Sequence, residues 1–386
     1  RVQAAIEILD EVIASARDDG PPADAIVTRY FKTRRYAGSK DRRAVRELAF
    51  RAIRRSGERP DSGRAAMLGL ADDDAQLLDL FDDTPHGPAV RQPAERAAPA
   101  TAVAEWVQPL LSAHVTVDEW PALLERAPLD LRVNVAKTSR EAMLAAFDGA
   151  EPTRLSPWGL RLPSDTKVDD HPAFADGLVD VQDEGSQLIA LACRPKNGTG
   201  ILDLCAGAGG KSLALAAVAP DAEVIASDTN RARLAQLPPR AERAGARIET
   251  RLLDGGREAV QLADLDGQCD IVLVDAPCSG SGTWRRNPEG RWRLSQQRLD
   301  RLVALQARLL DLAAPLVKPG GALVYATCSI IRAEGADQAR NFLGRHSSWL
   351  VQDVPFDGGR ADGPGRLLTP AHDATDGFFV ARFVKP

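Results

Sequence analysis

The sequence of 386 residues lacks the patterns of metal sites and of disulfide-stapled domains. Its five cysteines include no Cys-x-x-Cys pair, and its five histidines lie far apart without the spacing of metal ligands. No apolar run reaches membrane-spanning length, and no signal-peptide pattern occurs near the start. These absences argue against a zinc protein, a disulfide scaffold and a membrane protein. They predict a cytoplasmic protein without a bound metal, with a monomer as the default.

The net charge of −5 does not by itself predict a nucleic-acid-binding protein, but the distribution of the charges does. Residues 29–55 contain eleven Arg and Lys against two acidic residues. A solvated helix face, balanced by acidic stretches elsewhere, is the alternative interpretation of this run. A second basic run at 284–293 interleaves arginine with tryptophan, and such residues bind phosphates and stack on unpaired bases. The predicted substrate-binding residues are Arg285, Arg286, Arg291 and Trp292.

The spacing of apolar residues divides the chain into three predicted domains. Residues 1–115 show helical spacing, with helices expected around 2–13, 45–53, 77–81 and 103–111. Residues 120–175 mix strand and helix patterns and predict a small α/β subdomain. In residues 176–386 strands alternate with helices, which is typical of a parallel sheet with helices on both faces. The predicted fold class is α/β with a Rossmann-like domain.

Two cysteines follow predicted strands. Cys278 ends the segment Asp-Ala-Pro-Cys at 275–278, and Cys328 lies in Thr-Cys-Ser at 327–329. Because ligands and catalytic groups gather at the carboxyl ends of strands in an open α/β sheet, both thiols are expected at one functional edge. A thiolate is a strong nucleophile near neutral pH, so the pair suggests covalent chemistry. The alternative is that both are small packing residues.

The glycine-rich segment at 205–212 connects a predicted strand to a helix and predicts a cofactor site. It is not a P-loop, because Cys205 stands where that motif requires glycine. Aspartates at the ends of the next three strands suit a nucleoside with a positive centre, S-adenosylmethionine, better than a pyrophosphate. NAD is the alternative. The predicted cofactor-binding residues are Cys205, Ala206, Gly207, Ala208, Gly209, Gly210, Lys211, Asp228, Asp254 and Asp275.

The chain resembles the Nop/Sun family of RNA cytosine-C5 methyltransferases, most closely its bacterial 16S rRNA branch. The resemblance rests on the Pro-Cys and Thr-Cys motifs in this order, on the glycine turn, on Val-Gln-Asp-Glu-Gly-Ser-Gln at 181–187 and on Asp-Gly-Phe-Phe at 376–379. It extends over essentially the whole chain. One departure is Ala208, where the family usually has proline, and we expect it only to loosen the turn. The resemblance implies a class I methyltransferase domain that uses S-adenosylmethionine, preceded by an all-α NusB-like domain and a small α/β domain that both bind RNA.

The resemblance also implies roles for individual residues. Cys328 is the nucleophile that adds to C6 of cytosine, Asp275 hydrogen-bonds the base, and Cys278 assists release of the product. The expected reaction is formation of 5-methylcytosine in RNA, with 16S rRNA as the expected substrate. A tRNA substrate and a non-catalytic role in ribosome assembly are the alternatives. Of the remaining cysteines, Cys193 and Cys269 are expected to be packing residues.

Overall fold

The protein, analysed as a computed structural model, is described for residues 1–34 and 37–386, which form two compact units. The helical unit comprises Arg1–Leu111, Thr116–Glu125 and Thr283–Gln296. The sheet unit comprises Ser112–Val115, Arg126–Gly282 and Gln297–Pro386. Arg35, part of the first basic run, lies outside the described residues. In the described ranges, no helix combines the length and the apolar character needed to cross a membrane.

Amphipathic helices build the helical unit, because their apolar residues recur at helical spacing and pack into one core. The helices are α1 (Val2–Arg17), α2 (Ala23–Lys32), α3 (Ser39–Arg55), α4 (Gly63–Asp72) and α5 (Ala75–Leu78). The helices predicted around 2–13 and 45–53 are therefore confirmed. The prediction of a helix over 103–111 is wrong, since only a short 3₁₀ turn at Gln108–Leu110 forms there. Pro109 explains the difference, because proline within a helix removes a backbone donor and clashes with the preceding turn.

The segment Thr283–Gln296 completes this unit by binding the ends of two helices. The Arg291 guanidinium donates to the carbonyl oxygens of Ile53 (2.6 Å) and Arg54 (3.2 Å), in the last turn of α3. Glu289 Oε1 accepts the N–H of Ala23, the first residue of α2, at 3.0 Å. Helix ends carry backbone groups without intrahelical partners, and a cation suits the C-terminus while an anion suits the N-terminus. The segment thus caps both helices.

The burial of this segment corrects part of the predicted RNA-binding set. Trp292 is 3% exposed, packs in the core of the helical unit and donates from Nε1 to Ser56 O at 2.8 Å. Arg291 is also buried, and burial lowers the pKa of its guanidinium to about 9. Neither side chain offers a surface on which a base can stack or a phosphate can bind. Arg285 is buried as well, while Arg286 is partly exposed.

A small antiparallel sheet forms the first part of the sheet unit. Its strands are β1 (Leu129–Val133), β2 (Glu151–Pro152), β3 (Gly159–Leu162) and β4 (Val179–Val181) in the order β2-β3-β1-β4, with helices α6 (Arg140–Ala146) and α7 (Pro172–Ala175). Ser139 caps α6 as the sequence predicts, accepting the N–H of Ala142. Asp130 on β1 accepts the N–H of Glu184 at 3.1 Å and so ties this sheet to the rest of the unit.

The large sheet has the order β11-β12-β13-β9-β8-β5-β6-β7, with β10 also paired to β13. Its strands are β5 (Gly200–Asp203), β6 (Glu223–Asp228), β7 (Ile248–Leu252), β8 (Cys269–Asp275), β9 (Val317–Thr327), β10 (Leu350–Gln352), β11 (Arg360–Asp362), β12 (Gly365–Leu368) and β13 (Phe378–Val384). Its helices are α8 (Glu184–Ala192), α9 (Gly210–Val218), α10 (Arg231–Leu234), α11 (Leu237–Ala244), α12 (Glu258–Gln261), α13 (Gln296–Leu316), α14 (Ala336–Arg345) and α15 (Pro370–Asp373).

Strands β5 to β9 run parallel, which confirms the predicted Rossmann-like sheet, and β13 joins β9 antiparallel. The strand order reverses at β5, whose neighbours are β6 and β8. In open parallel sheets, ligands bind in the crevice at such a reversal, outside the carboxyl ends of the strands. The fold therefore predicts a ligand site at the carboxyl ends of β5, β6 and β8.

We predict that Trp292→Ala destabilises the helical unit by about 3–5 kcal/mol, because it empties a core site and leaves the Ser56 carbonyl without its donor. Urea denaturation followed by far-ultraviolet circular dichroism measures the change. Trp106→Ala is the control, since Trp106 belongs to the same unit and is 38% exposed. Equal, small effects of the two substitutions would contradict the structural role of Trp292.

Candidate active site

The register of two central strands brings the predicted cysteines together. Asp275, the last residue of β8, lies opposite Ala326 on β9, so Cys278 and Cys328 both follow at the carboxyl edge of the sheet. The sulfur atoms of the two cysteines are 3.4 Å apart, and each side chain is partly exposed. This distance permits a hydrogen bond between a thiol and a thiolate.

The surroundings of Cys278 disfavour its thiolate. Its pKa is raised well above the ordinary value by the hydrogen bond to Cys328, by burial and by the negative charge of Glu334. Either sulfur can donate in the contact between the two, and the pair brings two thiols together at the functional edge.

The other three cysteines lie in surroundings that suppress the thiolate. Burial raises the pKa of Cys193 to about 12 and that of Cys269 to about 11. Burial also raises the pKa of Cys205 well above its usual range. Cys193 and Cys269 are buried and act as small apolar residues, whereas Cys205 is partly exposed.

An ion pair fixes Asp275 beside the cysteines. Lys211 Nζ donates to Asp275 Oδ2 at 2.6 Å and lies 5.5 Å from the centre of the Phe378 ring. Burial is the largest influence on the pKa of Lys211 and lowers it, but the charge and hydrogen bond of Asp275 outweigh burial, so the pKa is raised. Lys211 therefore remains a cation. Asp275 Oδ1 accepts no hydrogen bond from the part of the chain that the structure describes, so it can bind a ligand.

The glycine turn after β5 is held closed by side chains from neighbouring elements. Gly207 and Gly209 have φ values of 57° and 81°, a region that favours glycine, and side chains at both positions would meet Arg233 and Leu237. The Gly207 N–H donates to Asp228 Oδ2 at 2.7 Å. Ala208, which replaces the usual proline, is held by its carbonyl oxygen, which accepts from Arg240 at 2.6 Å.

Asp203, at the end of β5, lies beneath this turn. It is fully buried, and its Oδ2 accepts the hydroxyl of Ser212 at 2.7 Å. Its Oδ1 has no hydrogen-bond partner within residues 1–34 and 37–386. Burial, opposed by the Ser212 hydrogen bond and reinforced by the charge of Asp275, raises the pKa of Asp203 to about 7. The sequence analysis did not single out this residue, although it considered the aspartates that end the next three strands.

A cleft of about 490 Å³ in the sheet unit joins five of the predicted site residues. Its walls include Leu302, Leu305 and Leu309 of α13. The predicted residues that line it are Cys205, Asp228, Asp275, Cys278 and Cys328. Asp254 differs from them, because it is exposed and its carboxylate accepts from Gln261 at 3.2 Å. The cleft thus holds the cysteine pair and two of the predicted carboxylates against an apolar wall.

Sequence reasoning missed two groups of residues here. Glu258 and Arg308 line the cleft and form an ion pair at 3.0 Å, from elements far apart in sequence. Glu334 is buried behind both cysteines and binds the serine that follows each of them. A serine directly after each cysteine, Ser279 and Ser329, was the only sequence signal of that second group.

Comparison with known families and proteins gives one consistent result. The family model described as "16S rRNA methyltransferase RsmB/F" matches residues 190–384. Proteins named "Ribosomal RNA small subunit methyltransferase B" from Salmonella paratyphi B and Salmonella typhi are each 36% identical over 275 residues, covering 69% of this chain and 63% of theirs. The chain thus spans less than two thirds of the length of the curated relatives that it matches.

Solved structures show the same fold. The crystal structure of PH0851 aligns with a TM-score of 0.76 at 24% identity, covering 100% of this chain and 99% of that one. NSun6 from Pyrococcus horikoshii with SFG aligns with a TM-score of 0.64 at 19% identity, over 73% of this chain and 97% of that one. A methyltransferase homologue from Pyrococcus horikoshii aligns with a TM-score of 0.62 at 24% identity, over 72% and 92%.

The raised pKa of Asp203 predicts a specific dependence of stability on pH. In the unfolded chain its carboxyl group ionises near pH 3.8, whereas in the folded protein it holds its proton to about pH 7. Between these values the folded state binds more protons, so the free energy of unfolding falls as the pH rises. Each unit of difference between the pKa values in the unfolded and folded states corresponds to about 1.4 kcal/mol. Ionisation of Asp203 therefore lowers the free energy of unfolding by about 4 kcal/mol at most.

We expect Asp203→Asn to remove the part of the decline in the free energy of unfolding that Asp203 causes. Urea denaturation at a series of pH values measures this decline. Asp221→Asn is the control, because the side chain of Asp221 is 72% exposed. A decline of equal slope in wild type and Asp203→Asn would show that Asp203 is ionised in the folded protein throughout this range.

Proposed function

Because the chain belongs to the RsmB/F family of 16S rRNA methyltransferases, we propose that it forms 5-methylcytosine in small-subunit rRNA with S-adenosylmethionine as methyl donor. The observation that carries the proposal is the cysteine pair. Its sulfurs lie 3.4 Å apart beside Asp275, and the pKa of Cys278 is raised. C5 of cytosine is a poor nucleophile unless a thiolate first adds to C6, so this chemistry needs a nucleophile and a second group that assists release.

The cleft fits S-adenosylmethionine better than a dinucleotide. Asp228 ends β6, where a carboxylate commonly accepts ribose hydroxyls, and the leucines of α13 offer an apolar wall to adenine. The carboxylate of Asp228 already occupies the Gly207 N–H, where a pyrophosphate would need a free donor. When bound, S-adenosylmethionine supplies a methyl group on a positively charged sulfur. Asp228 and Asp275 give the cleft the negative charge that suits it.

The residues then act in order on a cytosine that has left its stack. The Cys328 thiolate adds to C6, and the electron pair of the C5–C6 double bond moves to C5, which accepts the methyl group. Asp275, held by Lys211, hydrogen-bonds the base at N3 or at its exocyclic amine and stabilises the charge that develops. The C5 proton is lost to solvent, in a step that Cys278 assists, the double bond re-forms, and the C6–S bond breaks to return the Cys328 thiolate.

We propose that the helical unit binds RNA through fewer residues than the number of Arg and Lys in residues 29–55 suggests. Several arginines of the first basic run form ion pairs within the unit: Arg46 with Asp24, Arg51 with Asp74, and Arg55 with Asp73. Lys32, Arg42 and Arg43 instead line a surface groove on α2 and α3. We assign phosphate binding to these three residues, in place of the buried Arg291 and Trp292.

We predict that Cys278→Ala accumulates a covalent protein–RNA adduct, because the product cannot be released from Cys328. The variant is incubated with labelled cofactor and small-subunit rRNA and analysed on a denaturing gel. Replacing Cys328 as well abolishes the adduct, which makes the double variant the control. Methyl transfer by Cys278→Ala without any adduct would overturn the assignment of the release cysteine.

The same assay separates the alternative substrates. Methyl transfer to tRNA but not to small-subunit rRNA would replace the proposed substrate. The absence of transfer to either RNA by the wild-type protein would favour a binding role in ribosome assembly over catalysis.

We predict that Asp228→Asn weakens binding of S-adenosylhomocysteine about tenfold to a hundredfold, because hydrogen bonds to a charged group contribute about 1.5–3 kcal/mol. Asparagine can still accept the Gly207 N–H, so the turn keeps its shape. Isothermal titration calorimetry measures the affinity, and Asp254→Asn is the control at the exposed end of β7. Equal losses in both variants would place Asp254 in the cofactor site as well.

A further inference from the structure

Glu334 is a buried carboxylate that both cysteine loops share. It is fully buried and lies between β9 and α14, in the 3₁₀ turn Arg332–Glu334. Four hydrogen bonds end on its two oxygens: Oε1 accepts from Ser279 N (2.8 Å) and Gln306 Nε2 (3.0 Å), and Oε2 accepts from Ser279 Oγ (2.5 Å) and Ser329 Oγ (2.6 Å). All four donors are neutral groups.

The hydrogen bonds to Glu334 lie in the loops after β8 and β9, beyond the residues that the ladder of the sheet holds in place. The last strand-like hydrogen bond from β8 is that of Ala276 N–H to Ala326 O, at 2.9 Å. Pro277 has no N–H, so it cannot extend the ladder. Beyond it, a backbone bond from Gly282 N–H to Cys328 O, at 3.0 Å, joins the loops. The positions of the two sulfurs therefore depend on side-chain contacts.

Glu334 supplies those contacts to the residue next to each cysteine. Ser279 follows Cys278 and Ser329 follows Cys328, and both hydroxyls donate to the same carboxylate oxygen. Gln306 of α13 joins the cluster and also donates to the carbonyl oxygen of Pro277 at 2.9 Å. One carboxylate thus holds both loops against one helix.

The four donors of this cluster need acceptor atoms at two positions, and one carboxylate can provide both. A carboxylate has two oxygens that only accept, and all four partners here can donate. No lysine or arginine of the described chain forms an ion pair with Glu334, so its charge is balanced by neutral donors alone. A buried charge without a counterion is costly, so stability alone does not account for a glutamate at this position.

We propose that Glu334 is a positioning residue that holds the sulfurs of Cys278 and Cys328 in contact by binding the residue after each cysteine. The geometry supports the placement of the two sulfurs by Glu334, and the importance of this placement for catalysis rests on the function proposed above. Glu334 does not line the cleft, and its carboxylate binds Ser279, Ser329 and Gln306. Without it, the loops keep the Gly282 N–H to Cys328 O bond and the contact between the Ser281 and Ser329 hydroxyls, but lose the shared carboxylate that binds the residue after each cysteine.

The first test measures the thiol pair without RNA or cofactor. Phenylarsine oxide binds two neighbouring thiols at once: both S–H protons leave with the arsenic-bound oxygen as water, and two As–S bonds form. Intact-mass spectrometry and titration give the affinity of capture. Because bidentate binding depends on the effective concentration of the second thiol, we expect Glu334→Ala to weaken capture by at least about tenfold.

The controls separate positioning from folding. Glu184→Ala removes another fully buried glutamate of the sheet unit, which accepts from Leu155 N–H and Ser156 N–H, and it should leave capture unchanged. Glu334→Gln should largely restore capture, because Gln keeps an oxygen for the N–H donors and the serine hydroxyls can turn to accept from its amide. A folded Glu334→Ala protein that captures the reagent like wild type overturns the proposal.

The second test uses methyl transfer. Glu334→Ala should lower kcat at least about tenfold with little change in the KM for RNA, since the residue touches neither ligand, and Glu334→Gln should recover most of kcat. A rise in KM with unchanged kcat would overturn the positioning role. If wild type captures phenylarsine oxide but methylates no RNA, the proposed function fails while the placement of the thiols by Glu334 stands.

Discussion

The parallel register between β8 and β9 is the constraint on which the site depends. These strands lie side by side, with Asp275 opposite Ala326, so their carboxyl ends reach the same edge at the same height. A shift of one residue would turn every side chain of a strand to the other face. The register is secured by central residues such as Val272, Leu273 and Val274, which are completely buried. The meeting of two thiols is therefore a consequence of core packing.

Negative charge dominates the surroundings of that edge. Asp203 and Glu334 are buried carboxylates, Asp275 and Asp228 line the cleft, and Lys211 compensates one of them directly. Burial is the main cause of the raised pKa of Asp203, and the hydrogen bond to Cys328 is the main cause for Cys278, with neighbouring carboxylates adding to both shifts. The same carboxylates suit the positively charged methyl donor that we propose.

The sequence allowed prediction of the parts of the site that depend on local order along the chain. Apolar runs followed at once by Cys278 or Cys328 identify both strand and edge, because residues next to each other in sequence stay close in space. Residues that act through tertiary contacts could not be predicted in this way. Arginine and tryptophan at 291–292 have the composition of an RNA surface, yet their partners are the end of α3 and the core of the helical unit. Glu334 became visible only once two distant loops met.

The segment Thr283–Gln296 has a consequence for synthesis on the ribosome. The helical unit begins at the first described residue, but its core and two helix caps are completed by residues near position 292. About 160 residues separate Glu125, the end of its other parts, from this segment, which at about 5–20 residues per second corresponds to about eight to thirty seconds of translation. During that interval the ends of α2 and α3 and the site of Trp292 stay uncovered in the nascent chain. The helical unit is thus finished only after four strands of the large sheet, β5 to β8, have been synthesised.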